Sequence, residues 1–328
     1  MVTSADVTTG RASYAVIGDP VEHSLSPRIF SRLFSELRIE GHYTALRVTP
    51  ADLAEAIERV RFGALSGISV TMPHKETVLR HLDALHPTAA RIGAVNCVGR
   101  SVDGRAIGYN TDSPGFRLAL SERGRRLAAA RLVLLGAGGA ARAAAFAAAT
   151  SGAKSVTIAN RDPERAIRLG LDLVGSGHAW PEGELLRRWE EQEGAPKERA
   201  GPPRVRRLSS PSGKTFVSVV PLETQALLHP LSHASILVNA TSVGQGDGEA
   251  DPLPPGCVLH PALTTLDMVY DPLETALLRR ARQAGAPAVD GLWMLIHQAF
   301  EQLRIWTGRA ASPAIASDLH DRLSADFR

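Results

Sequence analysis

The chain has 328 residues, of which 44% are hydrophobic and 22% charged, a composition typical of a globular protein long enough for two domains. No apolar run reaches the roughly 18 to 20 residues of a membrane span, and the N-terminal segment lacks the pattern of a secretory signal. We therefore expect a cytoplasmic protein with no membrane partner. The net charge of +3 comes without a basic run interleaved with aromatic residues, which excludes the common modules that bind nucleic acid.

The sequence also has no pattern typical of a metal site or of disulfide bonds. Cys97 and Cys257 are the only cysteines, too few for a disulfide framework and without the paired spacing of a zinc site. The eleven histidines are dispersed and form no HExxH motif. We expect two unpaired thiols and no metal.

The first third of the chain alternates β-rich runs with helical patterns. Strands are predicted at 14–18, 42–48 and 65–71, and helices at 26–37, 51–61 and 77–92. Strands separated by helices of this length predict an α/β fold with a mostly parallel sheet.

A second α/β unit begins near Arg131. A buried strand at 132–135, an alanine-rich helix at 140–149 ended by Gly152, and a strand at 156–159 form the βαβ unit of a Rossmann-like fold. Residues 176–214 are charged and rich in proline and glycine, so we expect a surface excursion with a short helix at 184–191. Two strands and two helices follow, at 235–241, 264–270, 273–284 and 290–306.

A glycine-rich loop joins the first strand and helix of this second unit. Backbone N–H groups of such a loop and the dipole of the helix can bind a pyrophosphate, which glycine permits to approach closely. The candidate cofactor-binding residues here are Gly136, Ala137, Gly138, Gly139 and Ala140.

The end of the next strand bears on the choice of cofactor. An acidic residue there favours NAD, but this strand ends in Asn160 and Arg161, with Arg165 one helical turn later. Two guanidinium groups can pair with the 2′-phosphate of NADP. Asp162 argues the other way, because its carboxylate would repel a phosphate or bind a ribose, so NAD remains the alternative.

Short polar residues gather at strand-to-helix junctions of the first third. Ligand sites of α/β proteins form at such junctions, although each residue alone also has a structural explanation, as Ser26 before Pro27 could cap a helix. Together they suggest a polyhydroxylated acid as ligand; they are Ser24, Ser26, Thr71, Lys75, Asn96 and Asp112.

From about Tyr14 to Gly308 the chain resembles the shikimate dehydrogenase family, including its quinate/shikimate branch. The resemblance rests on nine ordered motifs: HSLSP (23–27), VTMPHK (70–75), GAVN (93–96), GYNTD (108–112), GAGGAAR (136–142), NRDPER (160–165), NATSVG (239–244), DMVY (267–270) and DGLWML (290–295) with Gln298. It implies a substrate domain of residues 1–118 plus 292–328, built from both chain ends, and an NADP domain of residues 119–291 between them.

The resemblance also implies roles for single residues. Ser24 and Ser26 match the serines that bind the substrate carboxylate, and Lys75 and Asp112 match the catalytic pair. Further substrate contacts match Thr71, Asn96, Tyr270 and Gln298, and the nicotinamide pocket matches Thr241, Gly291 and Met294. The implied reaction interconverts 3-dehydroshikimate and shikimate with NADP, a step of aromatic amino acid biosynthesis. We expect the protein to be a monomer or a homodimer.

Three departures from the family pattern keep alternatives open. The phosphate-binding motif reads NRD rather than NRT, Gln245 replaces a frequent methionine, and segment 176–214 is long. The nearest alternative is a quinate/shikimate dehydrogenase using NAD or NADP, followed by an aminoshikimate-pathway homologue. A different class is a regulator that binds NADP without turnover, against which the intact Lys75 and Asp112 count.

Overall fold

The computed structural model describes residues 12–174, 206–209 and 215–327. These residues divide into two compact units, one ending at Gly115 and resuming over Leu295–Asp326, the other spanning Phe116–Met294. The chain passes from one unit to the other within two helices, α4 (Asp112–Glu122) and α9 (Gly291–Thr307).

The first unit is a sheet with helices. Its strands are β1 (Ala12–Gly18), β2 (Gly41–Arg47), β3 (Gly67–Val70), β4 (Ala84–Leu85), β5 (Cys97–Arg100) and β6 (Ala106–Tyr109). Its helices are α1 (Ser26–Glu36), α2 (Leu53–Arg61), α3 (Pro87–Ile92), α10 (Pro313–Ser324) and the adjoining parts of α4 and α9; short 3-10 turns cover Thr77–His81 and Ala325–Phe327.

The strand order of this sheet is β2-β1-β3-β5-β6-β4. The β1–β2, β1–β3 and β4–β6 pairs are parallel, whereas β5 runs antiparallel to both of its neighbours. An aromatic cluster closes one side: Phe30 stacks on Tyr43 with ring centroids 4.2 Å apart, and Trp306 of α9 stacks on Tyr14 at 5.0 Å.

The second unit carries a larger sheet. Its strands are β7 (Arg131–Leu135), β8 (Ser155–Asn160), β9 (Arg206–Ser209), β10 (Phe216–Pro221), β11 (Ile236–Asn239), β12 (Thr264–Asp267) and β13 (Ala288–Val289). Its helices are α5 (Gly139–Thr150), α6 (Pro163–Leu173), α7 (Thr224–His233) and α8 (Ala276–Gln283), with the adjoining parts of α4 and α9.

The order β13-β12-β11-β7-β8-β10-β9 reproduces the 3-2-1-4-5-6 arrangement of a Rossmann sheet, with β10, β8 and β7 as its strands 3, 2 and 1. The pairs from β13 to β10 are all parallel, whereas β9, the described part of segment 176–214, runs antiparallel to β10. The predicted α/β class with mostly parallel sheets is confirmed.

One predicted helix needs correction, and several observed elements were not predicted. The helix predicted at 77–92 is wrong: Pro87 interrupts it, and the segment forms a 3-10 turn, β4 and the short α3. The strand β10 and helix α7, between 216 and 233, were not predicted, nor was α10. The helix predicted at 184–191 lies outside the described residues.

Candidate functional site

The predicted substrate and catalytic residues of the first unit collect at one edge of its sheet. Thr71 follows the carboxyl end of β3, and Asn96 comes just before β5, which pairs with β3 in the antiparallel sense. Because β6 is antiparallel to β5, its carboxyl end returns to that edge and places Asp112 there, at the start of α4. Backbone hydrogen bonds fix the register: Val70 donates to the Asn96 carbonyl at 2.9 Å, and Asn96 donates to the Tyr109 carbonyl at 3.1 Å.

Lys75 and Asp112 form an ion pair at this edge. Lys75 Nζ donates to Asp112 Oδ2 at 2.6 Å, with 20% of the lysine side chain and 5% of the aspartate side chain exposed. The pair therefore has a buried carboxylate and an ammonium that solvent or a ligand can reach. A proton carrier held beside a fixed carboxylate is the arrangement that acid–base chemistry on a hydroxyl requires.

Asn96 holds the second oxygen of that carboxylate. Its Nδ2 donates to Asp112 Oδ1 at 2.7 Å and to Thr111 Oγ1 at 2.9 Å. Its Oδ1 accepts from the Thr111 backbone N–H at 2.6 Å. Asn96 is 2% exposed, so in this structure it acts first as the scaffold of Asp112.

Gln298 joins the same cluster from α9. Its Oε1 accepts from Asn96 Nδ2 at 3.2 Å and from Thr111 Oγ1 at 3.3 Å. Gln302, one helical turn later, donates from Nε2 to the same oxygen at 2.6 Å. Sequence reasoning missed Thr111 and Gln302, although a second glutamine four positions after Gln298 on an apolar helix was a readable signal.

Ser24 and Thr71 belong to loops after β1 and β3, and Ser26 begins α1. The Ser26 backbone N–H donates to Ser24 Oγ at 3.3 Å, and the Thr71 backbone N–H donates to the Ile17 carbonyl at 2.9 Å. Ser26 does not cap α1; it is the first residue of the helix, and Leu25 occupies the N-cap position without a side-chain hydrogen bond. Ser26 is thus buried, at 4% exposure, without a capping role.

The glycine loop of the second unit has the geometry of an anion site. Gly136 adopts φ +108°, which disfavours other residues, and a Cβ there would lie 3.0 Å from the Ala240 carbonyl oxygen. α5 begins at Gly139 with Gly138 as its N-cap, so no side chain caps its first turn. Residues 138–140 are partly exposed, and Ala137 is buried below them. These features fit the pyrophosphate of a dinucleotide.

The end of β8 resolves the position of Asp162. Its carboxylate caps α6, since Oδ1 accepts from the Glu164 N–H at 3.0 Å and the Arg165 N–H at 3.3 Å. Asn160 Nδ2 donates to the Asp162 carbonyl at 2.9 Å. Arg161 and Arg165 are exposed, and a Cβ added to Gly138 would lie 3.8 Å from Arg165 Nη2. A guanidinium therefore lies beside the glycine loop, while the nearby carboxylate serves the helix.

The remaining predicted cofactor residues also lie in the second unit. Thr241 Oγ1 donates to Asn239 Oδ1 at 2.7 Å, which fixes the loop after β11. A Cβ at Gly291 would lie 2.5 Å from the Met268 carbonyl oxygen, so only glycine permits α9 to start there. Met294 is buried at 6% exposure. Tyr270, predicted as a substrate contact, lies in this unit as well and is partly buried.

Two features are absent from the described part of the chain. Its histidine, cysteine and carboxylate side chains form no group of three or more that could hold a metal ion. Its helices include none with the length and apolar character required to span a bilayer.

Two family models match the chain. One describes the shikimate dehydrogenase substrate binding domain and matches residues 16–98. The other describes the shikimate 5′-dehydrogenase C-terminal domain and matches residues 291–315. Both matches include segments of the first unit.

Whole-chain relatives extend the match. A Moorella thermoacetica protein named shikimate dehydrogenase (NADP(+)) is 38% identical over 92% of this chain and 90% of its own length. The shikimate 5-dehydrogenase of Thermus thermophilus, solved with NADP(H) and shikimate, is 34% identical with a TM-score of 0.74, over 95% of this chain and 99% of that one. The Listeria monocytogenes enzyme, solved with shikimate and NAD, is 28% identical with a TM-score of 0.74, over 95% and 97%. The chain belongs to the shikimate dehydrogenase family.

Proposed function

We propose that this chain catalyses the reversible, NADPH-dependent reduction of 3-dehydroshikimate to shikimate. The observation that carries the proposal is the Lys75–Asp112 pair, 2.6 Å apart, at the sheet edge where the family's substrate motifs converge. We also propose a cytoplasmic location, since both ligands are small, polar and water-soluble, and we keep the expectation of a monomer or homodimer.

Lys75 is the proton carrier of the proposed reaction. In the direction of reduction its ammonium gives a proton to the carbonyl oxygen of the substrate as that oxygen becomes a hydroxyl; in oxidation the amine takes the proton back. Asp112 orients the ammonium and accepts a hydrogen bond from the substrate hydroxyl. Asn96 keeps the carboxylate in place by donating to it, and Thr111 supports Asn96 through hydrogen bonds of its own.

The other predicted residues bind and orient the substrate. We propose that Ser24 and Ser26 bind the carboxylate of the acid, and that Thr71, Gln298 and Tyr270 bind ring oxygens. Ser26 supports this role because it is buried without capping the helix that it begins.

The glycine loop and the two arginines would hold the cofactor. NADP, when bound, supplies the redox chemistry, because its nicotinamide donates or accepts a hydride. The loop from Gly136 to Ala140 fits the pyrophosphate, Asn160, Arg161 and Arg165 fit the 2′-phosphate side, and Thr241, Gly291 and Met294 fit the nicotinamide side. Asp162 uses Oδ1 to cap α6, which accounts for an acidic residue at this position without a ribose contact.

The test is an absorbance assay of reduced nicotinamide with four pairings, shikimate or quinate with NADP or NAD. Dominant activity with shikimate and NADP is expected. Quinate with NAD as the best pairing would instead favour a quinate/shikimate dehydrogenase. No turnover in any pairing, with NADP binding retained in a calorimetric titration, would favour a non-catalytic regulator.

A further inference from the structure

A buried chain of hydrogen bonds leads from the body of the sheet to the candidate site. Tyr43 on β2 donates to Ser69 Oγ on β3 at 2.6 Å, and Ser69 Oγ donates to Gln302 Oε1. Gln302 Nε2 then donates to Gln298 Oε1 at 2.6 Å and to the Asn96 backbone carbonyl at 3.1 Å. All five residues are less than 9% exposed, and Gln302 is 1% exposed. Tyr43, Ser69 and Gln302 have no place in the proposed mechanism.

The partners of Gln302 permit only one orientation of its amide. A backbone carbonyl can only accept, so the side that faces Asn96 must be the NH2 group. The amide oxygen then faces Ser69, whose hydroxyl donates to it. Rotating the amide by half a turn would set two buried acceptors against each other, which is costly for groups removed from water.

Gln302 is one of four groups that set the orientation of the Gln298 amide. Gln298 Oε1 accepts from three donors inside the unit, which belong to Gln302, Asn96 and Thr111. Its Nε2 donates one hydrogen to the Leu295 carbonyl at 2.9 Å. Within the described residues no hydrogen bond engages the second N–H of Gln298, so a bound molecule can accept a hydrogen bond from it.

We propose that Gln302 is a positioning residue for the substrate: it turns the amide of Gln298 so that an N–H, and not the carbonyl oxygen, faces an oxygen of the bound acid. This proposal rests on the proposed function. Without Gln302, the Gln298 oxygen loses the shortest of its three hydrogen bonds. An amide that then turned over would point its oxygen at the substrate and could no longer donate a hydrogen bond to it.

The central variant is Gln302→Leu, which keeps the volume and removes the hydrogen bonds. We expect the KM for shikimate to rise about tenfold, the effect of one lost hydrogen bond, while kcat changes less and the KM for NADP stays unchanged. Ser69→Ala, which removes the preceding link and very little volume, should move the same constant in the same direction by a smaller factor. An unchanged KM for shikimate in a folded Gln302→Leu protein would overturn the proposal.

Trp306→Phe is the matched control. Trp306 Nε1 donates to the Val98 carbonyl at 3.0 Å. Trp306 lies one turn after Gln302 on α9, and Val98 lies two residues after Asn96. Its loss removes a partly buried hydrogen bond that lies outside the Tyr43–Ser69–Gln302–Gln298 chain, while phenylalanine keeps an aromatic ring in place, so it should lower the thermal midpoint and leave the KM for shikimate unchanged. An equal rise in KM for both variants would show that the effect is general loosening.

A double-mutant cycle tests the route of the effect. If Gln302 acts through Gln298, then Gln302→Leu should change KM very little in a Gln298→Ala background. Fully additive effects would contradict the proposal.

A fourth readout does not depend on turnover. In protein labelled with ¹⁵N-glutamine, the side-chain NH2 resonances of Gln298 should shift in Gln302→Leu and stay in place in Trp306→Phe. Unmoved resonances overturn the positioning role even if the wild type is active. Shifted resonances in an enzyme inactive with shikimate would support the Gln302–Gln298 linkage and reject the proposed function alone.

Discussion

Each unit has a buried aspartate beside an asparagine and a threonine at the end of its strands, and the two carboxylates have different partners. Asp112 of the first unit, 4% exposed, pairs with the ammonium of Lys75 at 2.6 Å. Asp267 of the second unit, 0% exposed, accepts from three uncharged donors: Asn239 Nδ2 at 2.9 Å, the Val269 N–H at 3.0 Å and Thr275 Oγ1 at 2.8 Å.

The missing cation has an electrostatic consequence. Burial raises the pKa of Asp267 to about 6, and its three hydrogen bonds only partly offset that cost. A carboxylate that is hard to ionise and sealed from solvent suits a structural role. One held against a reachable ammonium suits proton transfer. The same residue types therefore serve chemistry in one unit and architecture in the other.

The architecture that Asp267 supports is the loop after β11. Asp267 holds Asn239, whose Nδ2 also donates to the Val243 carbonyl at 3.0 Å and whose Oδ1 accepts from the Thr241 N–H at 3.1 Å. Through Thr275 it also reaches the N-terminus of α8. The buried carboxylate thus links a cofactor-side loop to a helix.

Removing the cation of the first cluster should have the largest effect. Lys75→Ala takes away the proton carrier, and we expect kcat with shikimate and NADP to fall by about 10² to 10⁴-fold, with a much smaller change in KM. Steady-state kinetics would measure both constants. Lys154→Ala, at an exposed lysine of the second unit, is the control and should retain activity. A large rise in KM with kcat preserved would assign Lys75 to binding instead.

Neutralising the second carboxylate should change stability with pH. Because the folded pKa of Asp267 is raised, the folded state holds its proton more tightly than the unfolded state, and the free energy of unfolding falls as pH rises from about 4 to about 6. Asp267→Asn removes this loss. Relative to the wild type, the variant should gain up to about 3 kcal/mol between pH 4 and pH 7.

Urea unfolding of both proteins at several pH values would measure that difference, in which titrations common to the two cancel. A difference that stays constant with pH would show that Asp267 is ionised at no cost. Asp172→Asn offers a comparison, since that carboxylate pairs with Arg142 at 2.7 Å and is partly exposed.

The sequence predicts the glycine loop of the second unit better than it predicts the sheet of the first unit. The βαβ unit and its glycine loop follow from local pattern, because a buried strand, a tight turn and an alanine-rich helix are each encoded nearby. The antiparallel strand β5 does not follow, since its pairing with β3 and β6 is decided by the sheet. The role of Asp162 escaped for a related reason: a residue that caps a helix and one that binds a ribose look alike until its hydrogen bonds are seen. Asp267 belongs to the DMVY motif, but nothing in that motif indicates that its carboxylate is buried without a cation beside it.

The smallest expected effect comes from one of the donors to Asp267. Thr275 caps α8, because its Oγ1 accepts from the Leu278 N–H at 3.3 Å while its hydroxyl donates to Asp267. Thr275→Val keeps the shape and removes both bonds. Below pH 5 the loss should be that of the cap and of the hydrogen bond to the neutral carboxyl group, about 1 to 2 kcal/mol. With one donor fewer, the pKa of Asp267 should rise above about 6, so the deficit should grow as pH increases through neutrality. Thr275→Ser, which keeps the hydroxyl, should show neither change.

In an Asp267→Asn background the pH-dependent part of the Thr275→Val deficit should vanish while the loss of the cap remains, because the group that titrates is then gone. A deficit that still grew with pH would place the titration on some other group.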